Sequence, residues 1–90
     1  MQTAYDIRVK GKVQGVFYRA STLKKAQEIG VQGWCKNLEN GDVRIHAQGN
    51  RADLDELLLW CKEGSPNAIV EEIVFKEVEM ETYTNFQIKH

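Results

Sequence analysis

A glycine-containing loop that ends in an arginine is the part of this sequence best suited to bind an anion. It runs from Gly11 to Arg19 and contains a second glycine, Gly15. A strand-like segment precedes it and a helix-like segment follows, so its backbone N–H groups and the helix N-terminus can converge on an anion. A guanidinium supplies paired donors that match phosphate oxygens. The loop therefore predicts a phosphate site, while residue types alone also allow Arg19 to be an ordinary surface residue.

Several other kinds of catalytic site lack their sequence patterns. The chain has no Gly-x-x-x-x-Gly-Lys-Ser/Thr, no Gly-x-Gly-x-x-Gly, no His-Glu-x-x-His, and no Cys followed six residues later by Arg. Nucleotide, zinc-peptidase and cysteine-phosphatase chemistry therefore lose support. The two histidines, His46 and His90, form no pair at metal-ligand spacing. His46 is expected to be a solvated strand residue, and no metal or other cofactor is expected.

A second polar candidate, Asn37, follows the run Gly33-Trp34-Cys35-Lys36 and precedes the turn pair Asn40-Gly41. A carboxamide at the end of a strand can orient a water molecule for attack on a bound group. Asparagine also favours turns for purely local reasons, so its type and position leave both interpretations open. The role of Trp34 is also undecided by the sequence: it could be a core residue or could line the site.

The elements that must hold these residues follow from periodicity and turn signals. Alternation predicts strands around Tyr5–Val9, Val31–Leu38 and Val43–Gln48, with a hairpin at Asn40-Gly41 and Gly11 ending the first strand. Helical spacing predicts one helix that ends before Gly30 and another that follows an Asn50 N-cap and ends near Gly64 and Pro66. The second helix should bury Leu54, Leu57, Leu58 and Cys61.

A sheet-edge segment at Ile69–Met80 and a possible short strand at Phe86–Ile88 complete the order β-α-β-β-α-β. This order predicts an α+β, ferredoxin-like split β-α-β sandwich with two helices on one face of an antiparallel sheet. The 90 residues are expected to form a single domain, residues 1–90, because a chain this short supports one hydrophobic core.

Composition narrows the classes of partner. Lys and Arg number 12 against 13 Asp and Glu, a net charge of -1, which is unfavourable for binding nucleic acid through bulk phosphate attraction. Residues 1–45 carry eight basic and four acidic residues, so an anion should bind there. No apolar run approaches the roughly 20 residues that span a bilayer. The two separated cysteines are expected to be reduced thiols of a cytoplasmic protein, and a monomer is the default expectation.

Two segments closely resemble the signatures of the acylphosphatase family. Val13-Gln14-Gly15-Val16-Phe17-Tyr18-Arg19 is similar to the family pattern Gly-x-Val-x-Gly-Val-x-Phe-Arg, and residues 33–41 match Gly-Trp-Val-x-Asn-x-x-x-Gly. The separation of the two segments, the Gly64/Pro66 region and the final Phe86-Gln87-Ile88 also resemble the family. There are two departures, since Tyr18 replaces the usual Phe and Cys35 the usual Val. Tyr18 adds a hydroxyl that needs a partner if buried, and Cys35 should act as a small hydrophobe.

The resemblance implies metal-independent hydrolysis of the carboxyl-phosphate bond of small-molecule acyl phosphates, giving a carboxylate and inorganic phosphate. It places the family's two catalytic residues on Arg19 and Asn37. Arg19 would bind the phosphoryl group and Asn37 would orient the water. The substrate cradle is expected to comprise Gln14, Gly15, Val16, Phe17, Tyr18 and Arg19.

Three other functions remain as alternatives. A non-catalytic module could use the same loop to bind a phosphorylated ligand, since fold does not fix function. An RNA-binding ferredoxin-like domain is disfavoured, because no segment fits its aromatic signature. A domain from a larger acyl-transfer or carbamoyl-transfer protein is the third alternative, and it fits poorly with a chain that runs from Met1 to a polar end.

Overall fold

The computed structural model describes residues 2–90, which form two helices and five strands around one core. The elements, in chain order, are β1 (Gln2–Lys12), α1 (Tyr18–Ile29), β2 (Gln32–Asn37), β3 (Val43–Asn50), α2 (Arg51–Glu63), β4 (Ile69–Val78) and β5 (Phe86–Ile88). The expected β-α-β-β-α-β order is confirmed, and the possible short final strand is present. Within residues 2–90, neither helix is long and apolar enough to cross a membrane.

The sheet has the strand order β4-β1-β3-β2-β5, so β4 and β5 form its two edges. The pairs β1/β3, β1/β4 and β2/β3 are antiparallel, whereas β2 and β5 are parallel. The four strands of the predicted β-α-β-β-α-β order are antiparallel as expected, and the short additional strand β5 makes the sheet mixed. The chain leaves β4 at one edge, crosses to the other and adds β5 alongside β2, which gives the parallel pair.

Both helices cover one face of the sheet, as the sequence predicts. Tyr5, Ile7 and Val9 alternate along β1 and are all buried on this face. The four apolar residues predicted for the core side of α2 are buried too. Asn50 occupies the N-cap position of α2, but its side chain makes no capping hydrogen bond. Asp53 in the first turn supplies the favourable negative charge instead.

Gly11 lies within β1 rather than at its end, which corrects the expected strand boundary. The register with β4 shifts between Lys10 and Gly11, and the strand continues to Lys12. Gly11 has φ +129°, and an added Cβ would lie 2.1 Å from the carbonyl oxygen of Ile69. Only glycine fits this irregularity. The chain then leaves the sheet at Val13, which is 1% exposed and begins the cradle loop.

The sheet face opposite the helices, called the open face below, is crossed at one end by residues 79–85. Gln48 holds this segment by donating to the carbonyl oxygen of Glu81 and accepting from its N–H, at 2.7 and 3.0 Å. His46 lies under the same segment, 2.9 Å from the hydroxyl of Tyr83. The expectation that His46 is solvated is therefore wrong: only 5% of it is exposed, because a distant part of the chain covers it.

Candidate active site

A cavity of about 310 Å³ opens between the N-terminus of α1 and the last residues of β2 and β5. It is lined by Val13, Gly15, Phe17, Tyr18, Arg19, Ala20, Asn37, Ile88 and His90. The two signature-like segments, which are separated by 13 residues of sequence, thus meet at one place. This meeting follows from the fold, because β2 lies beside α1 and its last residue reaches the level of the loop.

The loop before α1 has the geometry of an anion cradle. Phe17 occupies the N-cap position in the left-handed region, with φ +62°, and it is the one non-glycine residue of 2–90 with positive φ. Gly15 also has positive φ, +74°. These turns bring the chain sharply into the helix, and α1 has no acidic side chain in its first turn. Its N-terminal N–H groups therefore keep their partial positive charge for a ligand.

Two side chains fix the loop from opposite sides. Gln14 donates from Nε2 to the carbonyl oxygens of Leu38 and Asp42, both at 2.8 Å, which ties the loop to the β2–β3 turn. Ser65, which is buried beyond the end of α2, donates from Oγ to the carbonyl oxygen of Val16 at 2.7 Å. The backbone of the cradle is therefore held in place before any ligand arrives, which reduces the entropy cost of binding.

Tyr18 anchors the start of α1 in the core. Its hydroxyl donates to the carbonyl oxygen of Cys61 at 2.8 Å. The hydroxyl that distinguishes Tyr18 from the usual Phe therefore has the hydrogen-bond partner that its burial requires. Cys61 lies in the last turn of α2, where carbonyl oxygens lack helical partners. Burial, together with the neighbouring Cys61, raises the pKa of Tyr18 above its ordinary value, so the phenol stays neutral.

Arg19 and Asn37 are the polar residues of the cavity that sequence motifs pointed to. Both are partly buried. The Nη1 of Arg19 lies 3.5 Å from Nδ1 of His90. The carboxamide oxygen of Asn37 is buried and accepts no hydrogen bond from residues 2–90. A buried acceptor without a donor is unfavourable, so this oxygen is available to a hydrogen-bond donor that enters the cavity.

Cys35 lies beside the cavity but has none of the properties of a nucleophile. Its thiol points to the carbonyl oxygen of Arg19 at 3.8 Å, and the residue is fully buried. Burial raises the pKa of the Cys35 thiol to about 12, although the charge of Arg19 opposes that rise. The thiol therefore stays protonated and acts as the small hydrophobe that the sequence predicts.

Most of the predicted site residues lie together around the cavity, but two of their side chains point away from it. Gly15, Phe17, Tyr18, Arg19 and Asn37 line the cavity. Gln14 and Val16 belong to the cradle through their backbone, while their side chains are directed elsewhere, to the β2–β3 turn and to the core.

Val13, which belongs to the predicted phosphate-binding loop, also lines the cavity. Sequence reasoning missed three lining residues, Ala20, Ile88 and His90. His90 is distant from both motifs in sequence, and no spacing rule connects it to Arg19. The parallel pairing of β5 with β2 brings it there. Among residues 2–90, no cluster of three or more His, Cys, Asp or Glu side chains is arranged to hold a metal ion.

A family model described as Acylphosphatase matches residues 5–88 of this chain. Curated relatives agree over nearly the full length. An acylphosphatase of Coxiella burnetii (strain RSA 493 / Nine Mile phase I) is 42% identical over 88 residues, which cover 98% of this chain and 93% of the relative. An acylphosphatase of Marinobacter nauticus is 44% identical over 87 residues, covering 96% and 95% of the two chains.

Solved structures show the same likeness in three dimensions. The structure of an acylphosphatase from Coxiella burnetii superposes with a TM-score of 0.95 at 42% identity, covering 98% of this chain and 93% of the other. The crystal structure of acylphosphatase from Bacillus subtilis gives a TM-score of 0.95 at 34% identity, with both chains covered completely. The expected ferredoxin-like arrangement is thus confirmed by relatives as well as by the strand order.

Proposed function

We propose that this chain, which belongs to the acylphosphatase family, hydrolyses acyl phosphates by holding the phosphoryl group with Arg19 and the 13–19 loop while Asn37 orients the attacking water. Hydrolysis of an acyl phosphate follows from family membership. The residue roles and the absence of a metal requirement are the proposal. The observation that carries it is the unpaired carboxamide oxygen of Asn37 in the same cavity as Arg19.

The phosphoryl group is bound by donors only. The guanidinium of Arg19 offers two parallel N–H groups, and the backbone of residues 14–18 together with the start of α1 adds further N–H donors. In the transition state of phosphoryl transfer, charge is spread over three equatorial oxygens. Donors fixed in advance stabilise that charge without reorganising, and the anchors at Gln14 and Ser65 supply this rigidity.

Asn37 acts on the nucleophile. Its unpaired oxygen accepts a hydrogen from water, which leaves an oxygen lone pair of that water directed at phosphorus. An amide cannot take the proton itself. We propose that a phosphoryl oxygen of the substrate accepts it, so no enzyme base is needed. His46 is unsuited to the role of base, because it is buried on the open face with Trp34 and Tyr83 as its neighbours.

The leaving group needs no proton from the protein. The bond that breaks joins phosphorus to the carboxyl oxygen, and the carboxylate departs as a stable anion without a general acid. Binding and positioning therefore suffice for an acyl phosphate, whereas a phosphate monoester would need an acid to protonate its leaving oxygen. We also propose that the enzyme acts as a cytoplasmic monomer, which agrees with its two buried, unpaired thiols and with a site built from one chain.

The direct test is hydrolysis of an aromatic acyl phosphate, followed by ultraviolet absorbance with EDTA present. Arg19→Ala and Asn37→Ala should each lower kcat/KM by about 100-fold or more, typical of a lost hydrogen bond in the transition state. Lys24→Ala removes an exposed charge from α1 outside the cavity and serves as the control. Near-normal turnover in either variant would refute its role, and phosphate binding without turnover in the wild type would favour a binding module.

A further inference from the structure

Cations outnumber carboxylates on the open face, although the whole chain carries a net charge of only -1. The carboxylates there are Asp6, Glu72, which lies 3.9 Å from Nζ of Lys10, and Glu81 beside His46. Six cationic side chains of the strands and the chain end lie on this face: Arg8, Lys10, Lys36, Arg44, Lys76 and Lys89. We propose that the open face binds single-stranded nucleic acid, at a site separate from the catalytic cavity.

Three of these cations stand side by side on neighbouring strands. Arg44 is paired directly with Arg8 across β3 and β1, and with Lys36 across β3 and β2. Like charges directly opposite one another destabilise a sheet. Asp6 compensates the charge of Arg44 alone, the middle residue of the row, by accepting hydrogen bonds from its Nε and Nη2 at 3.2 and 2.8 Å. Within residues 2–90, Arg8 and Lys36 have no carboxylate within 4.0 Å.

The basic surface continues on both sides of this row. A shallow cavity of about 300 Å³ lies over β1 and β4 and is lined by Asp6, Arg8, Lys10, Val74 and Lys76. Lys89 follows β5 at the other edge. Adjacent strands are about 4.8 Å apart, so five strands give a basic track roughly 20 Å wide. A polyanion with several successive phosphates can follow such a track, whereas one isolated phosphate would use only part of it.

Trp34 decides which polyanion fits best. Its ring is half-buried and three cations lie over it, with Nζ of Lys89 at 4.7 Å, Cζ of Arg44 at 5.4 Å and Nζ of Lys36 at 5.5 Å from the ring centroid. These long side chains must move aside for a base to stack on the ring, and they then lie next to its phosphates. The ring is held from behind by stacking on His46, at 5.8 Å between centroids and 14° between planes.

The indole N–H of Trp34 also donates to the hydroxyl of Tyr83 at 3.1 Å, so the ring orientation is fixed before binding. Proteins that bind single strands combine a positive groove with fixed aromatic rings on which bases stack. An acidic peptide would satisfy the cations but would gain nothing from the indole. The expectation against nucleic acid came from net charge and from the missing aromatic signature of RNA-binding domains. Net charge does not report how the fold distributes charges between faces, and Trp34 belongs to no such signature.

The test is fluorescence anisotropy of a labelled oligo(U) or oligo(dT) at low salt. The wild type should bind, with the logarithm of its affinity falling against the logarithm of salt concentration at a slope of about -2 to -3, as for three or four phosphate contacts on a single strand. Arg8→Ala/Lys36→Ala should weaken binding at least tenfold and flatten the slope. Lys24→Ala/Lys62→Ala, which removes the same charge from the exposed sides of α1 and α2, should bind like the wild type.

Two further arms make the result decisive. Arg19→Ala should retain wild-type affinity for the oligonucleotide, because the proposed site excludes the catalytic cavity; loss of binding there would overturn the separation of sites. Polyglutamate of similar charge should bind at least tenfold more weakly than the oligonucleotide, and equal affinity would overturn nucleic acid in favour of acidic protein.

If Arg8→Ala/Lys36→Ala is poorly folded by circular dichroism, Arg8→Ala/Lys76→Ala tests the same face. No binding at low salt would refute the proposal.

Discussion

Arg19 has a neighbour in the cavity that no motif contains. Nδ1 of His90 lies 3.5 Å from its Nη1, within reach of a weak hydrogen bond from the guanidinium. Arginine has many rotamers, and ordering it costs conformational entropy at the moment of binding. An imidazole that holds the guanidinium toward the cavity lowers that cost. His90 is therefore a positioning residue in the proposed mechanism, and it acts through Arg19.

Replacing His90 tests this role. His90→Ala should raise KM about 2- to 10-fold, the range for one exposed hydrogen bond of about 0.5–1.5 kcal/mol, while kcat changes less than KM. Steady-state kinetics on the same aromatic acyl phosphate measures both constants, and His90→Asn is the partner variant that keeps a hydrogen-bond acceptor. An unchanged KM, or a fall in kcat larger than the rise in KM, would contradict a positioning role.

At the scale of elements, the loop of residues 13–19 depends on contacts from parts of the chain far away in sequence. Gln14 reaches the turn between β2 and β3, while Ser65, just beyond α2, reaches back to Val16. Tyr18 connects the first turn of α1 to the last turn of α2. Gly64 makes this connection possible, because a Cβ there would lie 2.6 Å from Cε2 of the Tyr18 ring. Both helices therefore hold the position of the loop.

Removing one anchor should loosen the loop without unfolding the protein. Ser65→Ala leaves the carbonyl oxygen of Val16 without its donor, and an unsatisfied buried carbonyl costs about 1–3 kcal/mol. We expect a matching loss of stability in urea unfolding and a fall in kcat of several-fold, because the backbone donors are no longer fixed.

Ser21→Ala, the same chemical change on α1 at a serine without a side-chain hydrogen bond to residues 2–90, is the control. Loss of stability with unchanged kcat would show that Ser65 supports the fold but has no part in positioning the cradle.

At the scale of the whole molecule, burial in the core keeps several weakly acidic side chains neutral. Cys35, Cys61 and Tyr18 are buried, and burial raises the pKa of each above its ordinary value, to about 12 for Cys35. In the unfolded chain the thiols ionise near pH 9. Their contribution to stability is therefore complete below about pH 9 and is lost as pH rises toward 12, because only the unfolded state then releases these protons.

Alkaline unfolding of a single-thiol variant tests this linkage. The free energy of unfolding of the wild type should fall as pH rises above about 9. For Cys35→Val the slope of this fall should be smaller by about 1.4 kcal/mol per pH unit, which is the effect of one proton. Valine is the usual residue at this position in the family signature, and its side chain is similar in size to that of cysteine, so the packing is preserved. Urea titrations from pH 7 to 11 give both slopes, and parallel slopes would contradict ionisation of Cys35 as a cause.

Local patterns in the sequence were enough to predict most of the fold and to propose two residues, Arg19 and Asn37, that line one cavity. Alternation placed β1 and β3, helical spacing placed the buried side of α2, and glycine and asparagine marked the turns. These features depend on neighbours in sequence, so a linear pattern contains them. Arg19 and Asn37 were identified by long motifs whose separation is itself a linear property.

Only the tertiary structure decided the features that depend on residues far apart in the chain. The burial of His46 requires the segment 79–85 to cross above it, and the contact between His90 and Arg19 requires β5 to pair parallel with β2. The row of cations around Arg44 likewise appears only when three strands are brought into register. Net charge and local periodicity contain no such information, because strand order and register determine which side chains share a face.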